Sequence, residues 1–294
     1  MAKIRIMASR HSAFYSPLIG AIAGGFLKAA GFEASYAVLP AGKNVQDFIG
    51  AGEIDVAQSA VSGSWAPLER GQQPRAVHFA QINQRDGFFI CARKPDPAFT
   101  WAKLAGKEVI VDGVGQPLAM FKYAAHRQKL DYSSIKVIEA GGPDSMEAAF
   151  RSGKGDYVHL QGPYPQQLQH EGIGHVVASV GQAIGPVAFS SLVASREWLK
   201  TEAARAFTGA YRESRKWALE ADPARIAAQE KQYFPGTDPA VLAETIRTYQ
   251  RLGSWTGDIV VERAHYETAL DVFLHSKLIT KRHPYESVVV APPA

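Results

Sequence analysis

The polar run Ser9-Arg10-His11-Ser12 directly follows an alternating apolar segment, so it stands where a strand ends and side chains converge on a ligand. Arg10 offers a planar fork of donors suited to a carboxylate or sulfonate, and His11 beside it completes an anion-reading pair. The competing reading for both is a solvated loop. Ser9, Ser12, Ser59 and Ser62 supply hydroxyls, while Gly42, Gly113 and Gly115 stand in loops where bare backbone can approach a bound molecule. Phe14, Tyr15, Trp65 and Tyr164 are the aromatic candidates for the walls of a small-molecule pocket. Phe14 and Tyr15 would serve equally as a brace onto the helix after them, and Trp65 as interhelical core. Gln58 and Gln161 each close an apolar strand and rank first as polar contacts. Lys43 and Arg85 add charge near the mouth, which plain surface solubility explains as well.

Chemistry beyond binding has a thinner basis. Cys91 is the single cysteine, which excludes a disulfide framework, a CxxC pair and a thiolate zinc knuckle. Its apolar surroundings read as those of a structural thiol. The nine histidines contain no HExxH pair, and His170 and His175 have two glycines between them in a loop. No GxSxG elbow occurs, and Ser190-Ser191 fall within an apolar strand. Gly113-x-Gly115-x-x-Leu118 lacks the third glycine of a dinucleotide fingerprint, although Glu139 ends the next strand where a ribose reader would stand. No catalytic residue, metal or cofactor is assigned. If the chain is nonetheless an enzyme, His11, His78 and His159 are its acid–base candidates.

Those residues need a scaffold to position them. With 294 residues, 46% hydrophobic and 20% charged, the chain can bury a core without a metal or disulfide staple, as two lobes or one large α/β unit. Its net charge of +4 is spread along the sequence with no basic run, so no nucleic-acid partner is expected. The stretch from Gly172 to Ser195 lacks Asp, Glu, Lys and Arg, but Gly181, Gln182, Gly185 and Pro186 break it, so no membrane insertion is expected. Met1 to Ile6 has a leader's positive charges without its apolar region. As written the chain reads as cytoplasmic; trimmed of a leader it would be periplasmic.

Along the chain, Lys3–Ala8 reads as a strand, and Pro17 opens a helix that Gly31 stops near Ala30. Ser35–Leu39 and Asp55–Gln58 are strands separated by a short helix at Val45–Gly50, and the helix after them carries Trp65. Strand and helix alternate in this way when a parallel sheet is covered by helices. The order recurs from Glu108, through a helix to about Lys129, a strand at Ile135–Glu139, a helix at Ser145–Arg151 and a closing strand at Asp156–Leu160. QDFIGAGEIDVAQ at Gln46–Gln58 parallels MEAAFRSGKGDYVHLQ at Met146–Gln161, which reads as an internal duplication; the plainer account is that any two such units look alike. After strand-like runs at Ala76–Ile82, Gly87–Arg93 and Ala188–Ala194, the pattern is helical, with Asp222-Pro223 and Asp238-Pro239 as N-caps followed by proline. The tail from Lys281 is expected to lie extended on the surface.

The order of the Ser9–Pro17 loop, Pro40-Ala41-Gly42, Gly52-Glu53-Ile54-Asp55-Val56-Ala57 and Gly106-Lys107-Glu108-Val109 resembles the substrate-binding proteins of ABC importers. The branch is that of nitrate, sulfonate and taurine binding and of the thiamine-pyrimidine precursor proteins. The resemblance implies an α/β, two-lobe type II periplasmic-binding-protein fold with two hinge crossovers and a helical C-terminal region. The crossovers would fall near Asn83–Gly87 and Val180–Gly185, giving lobe 1 as residues 1–84 plus 185–294 and lobe 2 as 85–184. It further implies capture of a small organic ligand, an anionic carboxylate or sulfonate, delivered to an ABC permease. The first alternative is a cytoplasmic enzyme on the same scaffold, acting on an aromatic acid or a thiamine-type pyrimidine. Yeast-type thiamine-pyrimidine synthases, however, carry a cysteine-rich iron motif that is absent here, and aromatic sulfinate desulfinases a cysteine where this chain has Ser9 and Ser12. A ligand-sensing module is the third class.

Overall fold

Ile4, Ile6 and Ala8 put one apolar face of the first strand into the core, and every residue of the strands Val77–Asn83 and Ser190–Ala194 is buried, as strands covered on both faces require. The computed structural model describes residues 1–113 and 115–294. Strands β1 (Ala2–Ala8), β2 (Phe32–Val38), β3 (Val56–Ser59) and β4 (Val77–Asn83) alternate with helices α1 (Ser16–Ala23), α2 (Phe26–Ala29), α3 (Val45–Gly50) and α4 (Trp65–Glu69). Then come β5 (Phe88–Ala92), β6 (Glu108–Ile110), α5 (Gly115–Arg127), β7 (Lys136–Ile138), α6 (Pro143–Arg151) and β8 (Tyr157–Gln161). Helix α7 (Tyr164–His170), β9 (His175–Ser179), α8 (Val180–Ile184) and β10 (Ser190–Ala194) follow. The rest is helical: α9 (Glu202–Glu220), α10 (Pro223–Glu230), α11 (Pro239–Leu252), α12 (Arg263–His275) and α13 (Tyr285–Val288).

The described strands form two five-stranded sheets, ordered β2-β1-β3-β10-β4 and β7-β6-β8-β5-β9. In each, three parallel strands are joined by an antiparallel strand drawn from across a crossover: β10 beside β3, and β5 beside β8. Strands β3 and β8 therefore hold matching places, which aligns Gln58 with Gln161 near their carboxyl ends. The result is the two-lobe α/β architecture. The chain leaves the first sheet after Asn83 and enters the second at Phe88, then returns between Ser179 and Ser190 through α8.

Local chemistry fixes the helices. Asp222 and Asp238 accept backbone N–H bonds from Ala224 and Ala240 at 2.9 and 2.7 Å, with proline at the first helical position of each helix. The helix expected to run from Pro17 to Ala30 is split into α1 and α2 at Gly25, whose φ of 79° a side chain would resist. Helix α9 seats on α1 and β4 through Ser214 Oγ, which donates to the Pro17 carbonyl, and Tyr211, which donates to that of Gln81. Buried Arg215 spends its guanidinium on the carbonyls of Thr256, Gly257 and Asp258.

Two expectations are corrected. The tail from Lys281 is not a surface strand: His283, Val288 and Val289 are buried, and the Val290 amide donates to the His78 carbonyl at 2.9 Å. His170 and His175 do not share a loop; one ends α7 and the other begins β9. The polar faces of these short elements gave the sequence no periodic signal.

Candidate functional site

The carboxyl ends of β1, β3 and β8 face the first turn of α5 and the starts of β5 and β10, and a cavity of about 150 Å³ lies among them. Ser9, Arg10, Tyr15, Gln58 and Ala60 line it from the side of the first sheet, with Phe189 and Ser190 at the start of β10. Phe88, Gln116, Pro117 and Gln161 line it from the second. Openings of this kind, beyond the carboxyl ends of parallel strands, are where α/β sheets bind ligands.

Gln58 is fixed by its oxygen. That oxygen accepts from the Ser9 amide at 2.9 Å and the Ser9 hydroxyl at 2.8 Å, which leaves the amide N–H bonds as its donors toward a ligand. Arg10 donates through Nη2 to Asp112 at 2.8 Å, and its guanidinium lies over the Phe88 ring, 5.4 Å from the centroid. Arg10 Nη1 and both amide atoms of Gln161 are buried without a hydrogen-bond partner among the described residues. An unpaired buried polar atom costs roughly 1–3 kcal/mol, so a cavity ringed by them is one that a polar guest would satisfy. Burial pushes the Tyr15 phenol up to about 12, which keeps it a neutral hydroxyl at the cavity wall.

Hydrogen bonds join the two sides of this opening. Besides Arg10 to Asp112, the Ser12 hydroxyl donates to the Gly162 carbonyl at 2.6 Å, and Gln116 Nε2 to the Phe189 carbonyl at 2.9 Å. Tyr249 of α11 accepts the Gly162 N–H at 2.8 Å and donates to the Gly87 carbonyl at 3.0 Å. A side chain at 162 would collide with Thr245 and Tyr249, 2.6 and 2.8 Å from the Cβ position. Behind the cavity Asp86 is buried, one oxygen accepting the Phe88 amide at 2.6 Å. Burial raises its carboxyl to about 8, so near neutral pH it is mostly protonated and leaves the charge of Arg10 to Asp112.

Ser9, Arg10, Tyr15, Gln58 and Gln161 are thus brought together, with Ser59 next in the chain and half turned away toward the Ala60 carbonyl. The other anticipated residues lie elsewhere. His11 is no partner of Arg10: its Nδ1 meets the Tyr36 hydroxyl and its Nε2 the Tyr233 carbonyl, its ring stacks on Phe234, and burial lowers its pKa. Phe14 is core, wedged against Gly87, where a Cβ would touch its ring at 2.7 Å. Trp65 is also core, donating to the Tyr266 hydroxyl at 2.8 Å beside Phe273. Tyr164 donates to Asp144 and faces a second cavity. Gly42 lies in an exposed turn with Lys43, and Gly113 abuts Glu139; Val114 lies outside the described residues, and Gly115 opens α5. Arg85 reaches the Gly181 carbonyl at the crossovers, and Ser62 sits in the turn before α4.

Sequence reasoning missed Phe88, Gln116, Phe189 and Asp112. Phe88 and Phe189 each follow a crossover, a position whose facing only the sheets define; Gln116 closes the glycine loop and was the more legible. His78 and His159 are buried, with desolvation lowering each to about 3, so both are neutral imidazoles. His78 is held by Ser64 and Ser191, and His159 lies between the rings of Phe88 and Phe121. Among the described residues no group of three or more His, Cys, Asp or Glu could hold a metal ion, and no helix is long and apolar enough to cross a membrane. Cys91 is buried, which raises its thiol pKa.

The profile of the family described as NMT1/THI5 like matches residues 13–226. YtlA, a candidate binding protein of Bacillus subtilis (strain 168), is 28% identical over 98% of this chain and 88% of its own length. The alkanesulfonate-binding protein SsuA of Xanthomonas axonopodis pv. citri, solved bound to MOPS, superposes with a TM-score of 0.75 at 18% identity, covering 99% of both chains. The periplasmic aliphatic sulphonate binding protein SsuA of Escherichia coli gives 0.74 at 18% identity, over 96% of this chain and 94% of its own.

Proposed function

The chain belongs to the NMT1/THI5 like family, and from that premise we propose that it captures a small organic anion reversibly between its two lobes and passes it to an ABC-type permease. The lobes are taken as residues 1–84 with 185–294, and 85–184. One observation carries the reading: buried donors and acceptors without partners ring a cavity whose walls come from both sheets. Arg10 Nη1 receives the carboxylate or sulfonate, Gln58 and Gln161 add amide contacts, and Tyr15, Phe88 and Phe189 flank the organic body. Asp112 holds the other side of the guanidinium and orients it. The sulfonate-binding proteins among its structural neighbours, one of them periplasmic, support capture of an anion of this kind on the outer side of the membrane.

The test is a thermal-shift panel of sulfonates, benzoates and aminopyrimidines, followed by calorimetry. A ligand that raises the melting temperature and is recovered unchanged fits capture; one consumed in the assay means catalysis instead. Arg10→Gln should weaken the best anionic ligand about 10- to 100-fold, as loss of a charge-assisted bond predicts. Undiminished affinity in that variant would remove the anion from the reading.

A further inference from the structure

We propose that the cavity at Arg10 takes a short acid ending in a neutral amide, with the anion on Arg10 and the amide paired to Gln161. The inference rests on the function proposed above and names the ligand class of that same cavity.

Size is the first limit. At about 150 Å³ the space matches one that holds benzene, so its guest has roughly six to eight non-hydrogen atoms. The walls are packed against a longer one. On the side of Gly162, a Cβ at that residue would meet Thr245, Tyr249 and Gln166 at 2.6, 2.8 and 3.0 Å, and the Ser12 hydroxyl is bonded to the Gly162 carbonyl. Phe88 is held between the Arg10 guanidinium and the His159 ring, whose centroid is 4.6 Å from its own. Phe189 meets Phe14 edge-on with centroids 5.3 Å apart. Packing of this density resists even one added methylene.

The polar complement is the second limit. Both amide atoms of Gln161 are buried without a partner among the described residues, so the side chain offers a donor and an acceptor side by side. A guest hydroxyl satisfies one of them. A carboxamide satisfies both, its N–H donating to Oε1 and its oxygen accepting from Nε2. An ammonium is unsuited, because no acidic residue is among the described residues lining the cavity and the Asp112 carboxylate is spent on Arg10.

The experiment is calorimetry of the full chain with malonamate, succinamate, glutaramate and adipamate, and with 4-oxopentanoate, 4-aminobutanoate and ethanesulfonate alongside. Succinamate should bind at least about 10-fold tighter than 4-oxopentanoate, which has as many non-hydrogen atoms and no N–H, and than 4-aminobutanoate. Affinity should fall at least about 10-fold from succinamate to adipamate. Gln161→Met, which keeps the length of the side chain without its amide, should cut the preference for succinamate over 4-oxopentanoate to under about 3-fold. The ligand series on the parent chain decides the matter even if that variant does not fold. Binding of 4-oxopentanoate or ethanesulfonate as tight as that of succinamate overturns the amide alone, as does a preference that Gln161→Met keeps. Adipamate bound as tightly as succinamate overturns the size limit. Failure of every acid and of ethanesulfonate to bind overturns the anionic reading of the cavity and this inference with it.

Discussion

Asp86 shows how one buried group sets a pH response. The folded chain holds its proton up to about pH 8, while the unfolded chain releases it near the ordinary value of 3.8. Between those values the native state binds more protons, so stability contributed by this group is present at acid pH and is lost as pH rises toward 8. Asp86→Asn should flatten that fall, seen as a smaller loss of urea midpoint between pH 5 and pH 8.5 than in the parent chain. His78 and His159 act with the opposite sign. Their lowered values mean that stability present above about 6.5 drains as pH falls toward 3. Trp65, expected at the ligand wall and found in the core, gives a second test. Trp65→Phe removes the hydrogen bond to Tyr266 and should cost roughly 1–2 kcal/mol. The melting temperature should drop while ligand affinity stays within about 2-fold.

At the scale of elements, the two crossovers touch. A Cβ at Gly181, in α8, would stand 2.3 Å from the Asp86 carbonyl oxygen, closer than backbone allows. Gly181→Ala must push the segment after Asn83 away from α8, at an overpacking cost of about 1–3 kcal/mol. The expected outcome is a lower melting temperature together with weaker ligand binding, because the crossovers set where the lobes meet; unchanged affinity would place closure elsewhere. Helix α11 also spans the opening: Tyr249 bonds to both Gly162 and Gly87. It belongs to the C-terminal helical region, so the distant end of the sequence takes part in holding the loops around the candidate site.

For the whole molecule, ligand binding and stability are one equilibrium. A ligand at a hundred times its Kd adds about 2.7 kcal/mol to the folded state, a rise of several degrees in melting temperature for a chain of this size. Small-angle scattering should show a smaller radius of gyration at saturating ligand than without it, since a guest that bonds both sheets favours the form in which they meet. An unchanged radius together with the thermal rise would mean that the lobes stay together without ligand.

Much of this layout was legible before any coordinates. Hydrophobic alternation marks β1 and β3, aspartate followed by proline marks the starts of α10 and α11, and the repeat of strand and helix implies parallel sheets, because these signals are local and each is carried by neighbours in the chain. The loops at strand ends were legible for the same reason, and they contained Ser9, Arg10, Tyr15, Gln58 and Gln161. The facing of a side chain is different. Arg10 and His11 are adjacent, yet one turns to Asp112 across the opening and the other to Tyr233, whose position depends on how α10 and α11 settle. Phe14 and Trp65 have the composition of pocket walls, and long-range packing against Tyr249 and Tyr266 makes them core. Residue order thus determined the sheets and the loops that end their strands. Which of those side chains share a cavity was decided only when segments far apart in sequence came together.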